Sequence, residues 1–283
     1  MGAFFLYNKY SEPDLASTAK LFKDKGFRQR AIFKLGDYIL WLYRKIKINY
    51  LNYFENDNYG IYLIGTPIYK GMPYNAGMVA ILEDYSKGLF KNSEVKGTYV
   101  IIIRDYDFLK FFSDEGCLQS IYYIKNQIIS SSFLGVAFSF PDRLRLNKKA
   151  LAECLITGNL IGPDTFFLEI YRNEKFKPFN FKGIDFIQVN ESVYDVDNVG
   201  SYKQSVKEQV TKLEDYFKYI KQFADDMGIY SGLTGGFDSR LLFILAKKYF
   251  KSVRFFTHSR KDSNKDYNIS QELCNLFGLQ LSV

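Results

Sequence analysis

Short apolar runs dominate the chain up to about residue 190. Segments such as AFFLYN, GIYLIGTPIY, GTYVIIIRDY and TFFLEIYRNEKFKPF are rich in aromatic and β-branched side chains, and Gly, Asn and Asp separate them. Side chains of the first kind favour strands, and the separating residues favour tight turns. The pattern therefore predicts a series of short strands joined by hairpins.

Two helices are predicted to interrupt this β-rich region. In the first, Ser11 is a suitable N-cap and Pro13 suits the first turn. The apolar residues of this helix fall on one face, at positions Leu15, Ala19 and Phe22.

The second predicted helix lies in the segment NKKALAECLITG. Asn147 is its expected N-cap and Gly158 its expected end. Three residues are predicted to face the core, namely Leu151, Cys154 and Leu155. Strand runs with a few helices between them predict an α+β arrangement.

The pattern changes near residue 195. The polar segment DNVGSYKQ is typical of a linker, and the chain after it is typical of a long helix. Apolar residues recur there at alternating steps of four and three, which places them in one stripe over about five turns. The residues of the stripe are Val206, Val210, Leu213, Phe217 and Ile220.

Strands and helices alternate after this long helix. The predicted order is strand, helix, strand, helix, strand, over Gly228–Leu233, Ser239–Tyr249, Ser252–Thr257, Asn268–Phe277 and Leu279–Val283. Such alternation predicts a parallel sheet with right-handed crossovers. Because three parallel strands are few for an independently stable sheet, we expect this chain to be a fragment, or a short version, of a longer protein.

The corner YSGLTGGFDSR, between the first of these strands and its helix, concentrates flexible and small polar residues. Gly235 and Gly236 allow the backbone to approach a ligand closely, and N–H groups at the start of a helix favour an anion such as phosphate. Thr234 and Ser239 add hydroxyl groups. Asp238 is able to cap the helix and to hold a divalent cation.

Two common phosphate loops are absent from this corner. No lysine follows the glycines as GxxxxGK[ST] requires, and GxGxxG does not occur. An ordinary turn between strand and helix, with glycine at positive φ and Asp238 as N-cap, remains the simpler alternative. Arg240, one residue further on, would either offset phosphate charge or face solvent.

The sequence TGGFDS after a strand resembles the pyrophosphate loop (PP-loop) of the N-type ATP pyrophosphatases, and within them the asparagine synthetase-like enzymes. The resemblance extends over nearly the whole chain. The segment GTYVIIIRDYDFLKFFSDEGCLQSIYYIKNQIISSS is similar to a long hairpin of that family, although its turn is one residue shorter. RLNKKALAECLITGNLIGPDTFFLEIYR is similar to the helix, turn and strand that follow the hairpin in the family.

This resemblance implies two domains. Residues 1–195 would form a class II glutamine amidotransferase-like domain, an α+β sandwich of antiparallel sheets like that of the Ntn hydrolases. Residues 200–283 would form the N-terminal part of an ATP-binding, asparagine synthetase-like α/β domain with a parallel sheet. A homodimer through the first domain would also be consistent with the family.

The resemblance also implies an activity for the second domain. A substrate carboxylate would attack ATP to give an acyl-adenylate and pyrophosphate, and an amine would then form an amide. Catalysis would rest on Asp238 and Ser239, with Asp238 also holding Mg²⁺. Pyrophosphate would be held by Thr234, Gly235, Gly236, Asp238 and Ser239, and adenosine would be bordered by Leu233, Phe256 and Thr257.

The glutaminase half of that activity is expected to be absent. The family's nucleophile is an N-terminal cysteine, but Gly2 stands at that position. The Asn-Gly-Glu that binds glutamine is also missing, since the matching segment has Gly65 followed by Thr66 and Pro67. The amine would therefore come from a substrate or from free ammonia.

Charge and composition exclude several other classes. The net charge of +7 is spread over the chain, so it predicts a solvated surface better than a nucleic-acid groove. Three scattered cysteines and one histidine predict neither disulfides nor a zinc site. No apolar run has the length of a membrane span and the N-terminus is unlike a signal peptide, so a cytoplasmic protein without a membrane partner is expected.

Several other polar residues have a structural and a functional interpretation. His258 would lie near the adenosine edge or simply in a surface loop. Asp262 and Asp266 would form a second carboxylate pair for Mg²⁺, unless Asp266 only caps its helix. The remaining acidic candidates are predicted to be turn residues: Asp105, Asp107, Asp114 and Glu115.

Two alternatives to the synthetase remain open at this point. In the first, the chain is a catalytically idle homologue that acts as a binding or assembly protein. In the second, it is another PP-loop enzyme, such as a tRNA-modifying thiolase. The thiolase requires catalytic cysteines and a basic groove, which the sequence does not offer.

Overall fold

A computed structural model describes residues 2–27, 30–44, 50–174, 181–187, 201–258 and 264–283, without the side chains of 222–224 and 226–227. The chain folds as two compact units, Met1–Ser192 and Val193–Val283. It is a mixed α and β protein with several antiparallel sheets and some parallel strands.

The first unit contains fourteen strands and four α-helices among its described residues. The strands are β1 Ala3–Asn8, β2 Arg30–Leu35, β3 Tyr38–Tyr43, β4 Tyr53–Glu55, β5 Tyr59–Gly65, β6 Ile68–Tyr69, β7 Met72–Pro73, β8 Val95–Lys96, β9 Tyr99–Asp105, β10 Phe108–Ser113, β11 Tyr122–Ile124, β12 Ile128–Ser130, β13 Tyr171–Arg172 and β14 Ile184–Ile187. The helices are α1 Leu15–Asp24, α2 Tyr74–Ser86, α3 Phe133–Ser139 and α4 Lys148–Thr157.

Two larger sheets form the centre of this unit. The six-stranded sheet has the order β13-β11-β12-β1-β3-β2, and all its pairs are antiparallel. The five-stranded sheet has the order β14-β10-β9-β5-β4, in which only the pair of β10 and β14 is parallel. A small sheet, β7-β6-β8, adds to them.

The two larger sheets pack face to face, with helices on their outer faces. Alternate residues of a strand point to opposite faces, so Phe4 joins the core between the sheets while Phe5 packs outward, against Phe22 of α1. On the other sheet Ile102 faces inward and Ile101 packs with α2. Because both faces of each sheet are covered, the central strands are apolar throughout. The order of layers is therefore helix, sheet, sheet, helix.

Helix α1 begins later than the sequence predicted. Its N-cap is Asp14, whose carboxylate accepts the N–H of Ser17 at 2.9 Å, and not Ser11. The hydroxyl of Ser11 donates instead to the backbone oxygen of Asn8 at 2.6 Å, within the turn after β1. Pro13 consequently lies before the helix and not in its first turn.

Helix α4 confirms both predicted ends. Asn147 accepts the N–H of Ala150 at 3.1 Å, and Gly158 closes the helix in the left-handed conformation with φ of 78°. The prediction that Leu155 faces the core is wrong, because its side chain is 78% exposed. The short helix buries only Ala150 completely, so its apolar C-terminal turn stays at the surface.

Helices α2 and α3 were not predicted. In α2 the signal is present, because Met78, Ile81 and Leu82 are buried at helical spacing. The segment has tyrosines and a glycine among its residues, which are weak helix formers. Conversely, most of the segment TFFLEIYR is not a strand, and only Tyr171–Arg172 pairs with β11.

The second unit has the predicted alternation of strands and helices. Its elements are α5 Tyr202–Met227, β15 Ile229–Gly232, α6 Phe237–Tyr249, β16 Val253–Phe256, α7 Lys265–Leu276 and β17 Leu281–Ser282. The strands form one sheet in the order β15-β16-β17, and both pairs are parallel as predicted. A core that includes Phe217, Phe243 and Phe255 joins α5 and α6 to this sheet.

Helix α5 is longer than predicted and only partly buried. It extends over 26 residues, about seven turns, and includes the last residues of the predicted linker. Phe217 is buried in the unit core, whereas Val206 and Val210 are 43% and 48% exposed. Within the described part of the chain every helix, α5 included, is too short or too polar to span a lipid bilayer.

Candidate functional site

The loop predicted to bind phosphate lies at the carboxyl end of β15. The N–H of Leu233 donates to the backbone oxygen of Phe256 at 2.8 Å, which continues the pairing of β15 with β16 up to the loop. Residues 234–236 then turn the chain into α6, which begins at Phe237. Ligands of open α/β sheets bind at the carboxyl ends of the strands, so the loop occupies a position suited to binding.

Two hydroxyl groups close this loop on itself. The N–H of Thr234 donates to Oγ of Ser239 at 3.1 Å, and the two hydroxyl oxygens are 2.9 Å apart. The backbone oxygens of Thr234 and Gly236 lie 3.0 and 3.1 Å from the same Oγ. Oγ1 of Thr234 also accepts the N–H of Gly236 at 3.2 Å. The hydroxyls that were predicted to hold phosphate therefore hold the loop in shape.

The start of α6 offers backbone N–H groups to an anion. Phe237, Asp238 and Ser239 are the first three residues of the helix, and such residues have no intrahelical acceptor for their N–H groups. The helix dipole adds positive partial charge at the same place. Phe237 and Asp238 are both exposed, so this end of the helix is accessible.

Asp238 does not cap the helix, contrary to the expectation from its position. The N-cap is Gly236, in an extended conformation with φ of −70°, and it makes no side-chain bond. Asp238 lies in the first turn, where a carboxylate interacts favourably with the helix dipole. Its exposed carboxylate makes no hydrogen bond or ion pair with any residue that the structure describes, and is free to bind a cation.

A second carboxylate reaches the loop from α7. Oδ1 of Asp266 accepts the N–H of Gly235 at 2.9 Å, although the two residues are 31 positions apart. A Cβ on Gly235 would lie 2.8 Å from Cδ1 of Ile269 and 2.9 Å from that Oδ1. Gly235 is thus required by the close packing of α7, and its N–H is engaged by a protein carboxylate.

Neither glycine of the loop needs a left-handed backbone. The described glycines with positive φ do not include Gly235 or Gly236. A Cβ on Gly236 would meet only Oγ1 of Thr234, at 3.3 Å. The simpler alternative, a turn that uses glycine for positive φ, is therefore wrong. Glycine is needed at position 235 because a larger side chain would not fit against α7.

The residues predicted to border adenosine differ in exposure. The side chain of Leu233 is completely buried in the unit core, and its backbone oxygen accepts the hydroxyl of Ser270 at 3.0 Å. Thr257 is also buried. Phe256 is half-buried, and its ring meets the exposed ring of His258 edge-on at 5.1 Å. Of the three residues predicted to border adenosine, Phe256 is therefore the one whose side chain remains partly accessible.

Arg240 lies beside the loop. Its guanidinium is 4.4 Å from the centre of the Phe237 ring, and its Nε is buried without a hydrogen-bond partner among the described residues. The cation is held over an aromatic face rather than by a carboxylate, so its charge adds to the positive potential at the start of α6.

Metal ligands are few in the described residues. No group of three or more His, Cys, Asp and Glu side chains there is arranged to hold a metal ion. Asp262, predicted as part of a carboxylate pair, lies outside the described residues. Asp238 and Asp266 are the carboxylates at the loop, and one or two carboxylates together with substrate phosphates are what Mg²⁺ commonly uses.

None of the three cysteines lies near the start of the chain. Gly2 is buried, Cys117 and Cys154 are half-buried, and Cys274 belongs to the core of the second unit, where burial raises the pKa of its thiol.

Two of the acidic turn candidates have larger roles than predicted. Asp114 is buried and accepts the N–H groups of Leu118 and Gln119 at 2.9 and 3.1 Å, so it organises the chain after β10. Asp105 ends β9 and accepts the hydroxyl of Tyr85 at 2.6 Å. Asp107 lies in the hairpin turn as predicted.

Comparison with known proteins adds no family to these observations. No protein-family model matches the chain, and no curated protein matches its sequence. A function for the chain therefore rests on the residues of the loop and on their geometry.

Proposed function

We propose that the second unit binds ATP with Mg²⁺ and activates a carboxylate for amide formation, as asparagine synthetase-like enzymes do, without hydrolysing glutamine. The single observation that carries this proposal is the accessible start of α6, where the N–H groups of Phe237, Asp238 and Ser239 have no intrahelical acceptor. An anion is the group that such a helix end favours.

The residues around the loop would share the binding. The N–H groups at residues 237–239 would contact the terminal phosphates, and the guanidinium of Arg240 would offset part of their charge. Asp238 would hold Mg²⁺, which neutralises charge on the phosphates of the nucleotide. The half-buried ring of Phe256 would border the adenine.

The proposed reaction needs little proton transfer from the protein. An oxygen of the substrate carboxylate attacks the α-phosphorus, the bond from that phosphorus to the bridging oxygen breaks, and pyrophosphate leaves with the electron pair. The nitrogen of an amine then attacks the acyl carbon and AMP leaves. The helix start stabilises the charge that develops on pyrophosphate, which accounts for a catalytic loop without a general base.

The first unit would be a scaffold without glutaminase activity. Its order of layers, helix-sheet-sheet-helix, supports the Ntn-hydrolase-like fold that the resemblance implies. Gly2 has no side chain and so lacks the thiol that attacks glutamine in the family, and glutamine would not be hydrolysed there.

One observation favours the idle homologue as a second candidate. The N–H of Gly235, which would be expected to face phosphate, donates to the carboxylate of Asp266 at 2.9 Å. A loop occupied by a protein carboxylate would bind nucleotide weakly unless Asp266 moves or shares the Mg²⁺ ion. Nucleotide binding distinguishes the two candidates.

Calorimetry with Mg-ATP on the full chain is the first test. We expect binding that weakens at least about tenfold in Asp238→Asn, and no such loss in Glu272→Gln, an exposed residue of α7 that loses the same charge. Absence of binding at millimolar nucleotide would contradict the synthetase and favour the idle homologue. Circular dichroism would establish that both variants are folded.

Pyrophosphate exchange is the second test. The chain would be incubated with ATP, labelled pyrophosphate and a panel of amino acids and short-chain carboxylates. Exchange that depends on one carboxylate class would support adenylate formation, and release of ammonia from glutamine would contradict the inactive first unit. Binding without any exchange would also count against the synthetase.

A further inference from the structure

The first unit contains a solvent-open pocket where β1, α1 and α3 meet. Its volume is about 370 Å³, which is within the range of pockets that bind small molecules. Leu21 and Phe27 in its lining are half-buried and Leu134 is 40% exposed, so an apolar wall is accessible to a ligand. The ring of Phe27 is fixed by edge-on contacts with Phe22 and Tyr43, at centroid distances of 6.0 and 5.9 Å.

The polar side chains in the same lining are able to donate hydrogen bonds. Oγ of Ser131 accepts the N–H of Phe4 at 3.0 Å, and Oγ of Ser132 accepts the N–H of Gly135 at 3.1 Å. Neither hydroxyl donates to an acceptor among the described residues, so both O–H groups are available to a ligand. The side-chain amide of Gln119 is half-buried and makes no hydrogen bond within the described part of the chain. Accessible donors of this kind favour a ligand that accepts hydrogen bonds.

The charge of the lining is positive. Lys25 is the ionisable side chain among the described residues that line the pocket; it is exposed, and its ammonium makes no ion pair with any residue that the structure describes. Asp24, next to Lys25 in sequence, and Asp114, which accepts the backbone N–H of Gln119 at 3.1 Å, lie outside the lining. A bound anion would thus meet an ammonium group and three donors, with no lining carboxylate to repel it.

We propose that this pocket binds a small monocarboxylate whose apolar body has about the size of a benzene ring. The carboxylate accepts hydrogen bonds from the two serine hydroxyls and the amide of Gln119 and pairs with Lys25, while the body packs against Phe27. A phosphate dianion is less suited, because one ammonium group offsets only one charge and the apolar wall would remain in water. All the lining residues belong to the first unit, so the site is independent of nucleotide binding by the second.

Saturation-transfer NMR titrations on the full chain test the charge preference with benzoate, benzamide and benzylamine. At neutral pH these probes are an anion, a neutral amide and a cation, and they share one aromatic ring. We expect benzoate to bind at least about fivefold more tightly than benzamide, and benzylamine to bind more weakly than either. Equal binding of benzoate and benzamide, a preference for benzylamine, or no saturation transfer to benzoate would overturn the proposal.

Three variants locate the binding. Lys25→Gln removes the ammonium at an exposed position, so we expect benzoate to bind about three- to tenfold more weakly while benzamide binding stays unchanged. Lys23→Gln, in the last turn of α1 and outside the pocket, loses the same charge and is the control.

Gln119→Leu retains the approximate size of the side chain but loses its donor, and should weaken benzoate at least about threefold. Circular dichroism would establish that all three variants are folded. Equal losses in Lys23→Gln and Lys25→Gln, or full affinity in either pocket variant, would place the probe elsewhere and overturn the assignment.

Discussion

The backbone N–H of Gly235 donates to the carboxylate of Asp266 at 2.9 Å. This bond joins the loop before α6 to the first turn of α7, where the N-cap Asn264 accepts the N–H of Asp266 at 3.1 Å. A negative charge thus lies against the loop that we propose to bind phosphate. The same hydrogen bond therefore bears on the stability of the second unit and on the proposed binding of phosphate by its loop.

Removal of this charge should increase the affinity for metal-free nucleotide. Asp266→Asn keeps an oxygen that accepts the N–H of Gly235 but no longer repels phosphate, so we expect ATP in the presence of a chelator to bind about three- to tenfold more tightly. Calorimetry would measure the change, with Glu272→Gln on the same helix as the control. Unchanged or weaker binding would mean that Asp266 does not compete with phosphate.

The two glycines of the loop should respond differently to alanine. Gly235→Ala would place a Cβ within 2.9 Å of both Asp266 and Ile269, and we expect a loss of about 1–3 kcal/mol in the free energy of unfolding. Gly236→Ala meets only Oγ1 of Thr234 at 3.3 Å and should cost less than about 1 kcal/mol. Urea unfolding followed by circular dichroism would compare them. Equal losses would contradict the packing argument.

Acid should destabilise the first unit through Asp84. Lys70, whose Nζ is 2.6 Å from Oδ2 of Asp84, and then the hydroxyl of Tyr69 hold the pKa of this carboxyl below its ordinary value. A lowered folded-state pKa stabilises the fold above the unfolded-state pKa, which is about 4, and this stabilisation disappears as pH falls through the folded-state pKa. The free energy of unfolding should therefore decline more steeply below about pH 5 in the natural chain than in Asp84→Asn.

Fluorescence of Trp41 gives a direct readout of that pH dependence. Trp41 is the single tryptophan of the sequence and is buried in the first unit. Asp142→Asn, at an exposed position without an ion pair among the described residues, would serve as the control. Parallel pH profiles for the natural chain and Asp84→Asn would refute the assignment.

The cap of α4 should contribute measurably to stability. Asn147→Ala removes the acceptor for the N–H of Ala150, and we expect a loss of about 1 kcal/mol. Asn159→Ala, at an exposed position just beyond the same helix, is the matched control. Leu155→Lys should change the free energy of unfolding by less than about 0.5 kcal/mol, because Leu155 is exposed. Urea unfolding followed by Trp41 fluorescence measures all three, and a large loss in Leu155→Lys would contradict its exposed placement.

Features encoded within a few residues were predictable. The alternation of strand and helix after α5, the cap at Asn147 and the left-handed Gly158 depend on local periodicity and on local hydrogen bonds. The position of the loop between β15 and α6 also follows from adjacent residues. Helix α2 was missed because its aromatic and small residues have no strong helical preference, and tertiary packing outweighs that preference.

Features that depend on distant residues were not predictable. Periodicity identifies the apolar side of α4 but not how far the neighbouring layers cover it, so Leu155 was assigned to the core although it is exposed. The same holds for α5, where one stripe is buried at Phe217 and exposed at Val206. Burial is a property of the partner surface as well as of the residue.

The sequence by itself determined where the strands, helices and glycine corner of the second unit lie, because backbone propensity and apolar spacing act over a few residues. Only the tertiary structure decided what surrounds that corner. It placed Asp266 on the N–H of Gly235 and enclosed Leu233 in the core. Both depend on how α7 and β16 pack against the loop, and packing between elements more than twenty residues apart is set by the complete set of contacts rather than by any local pattern.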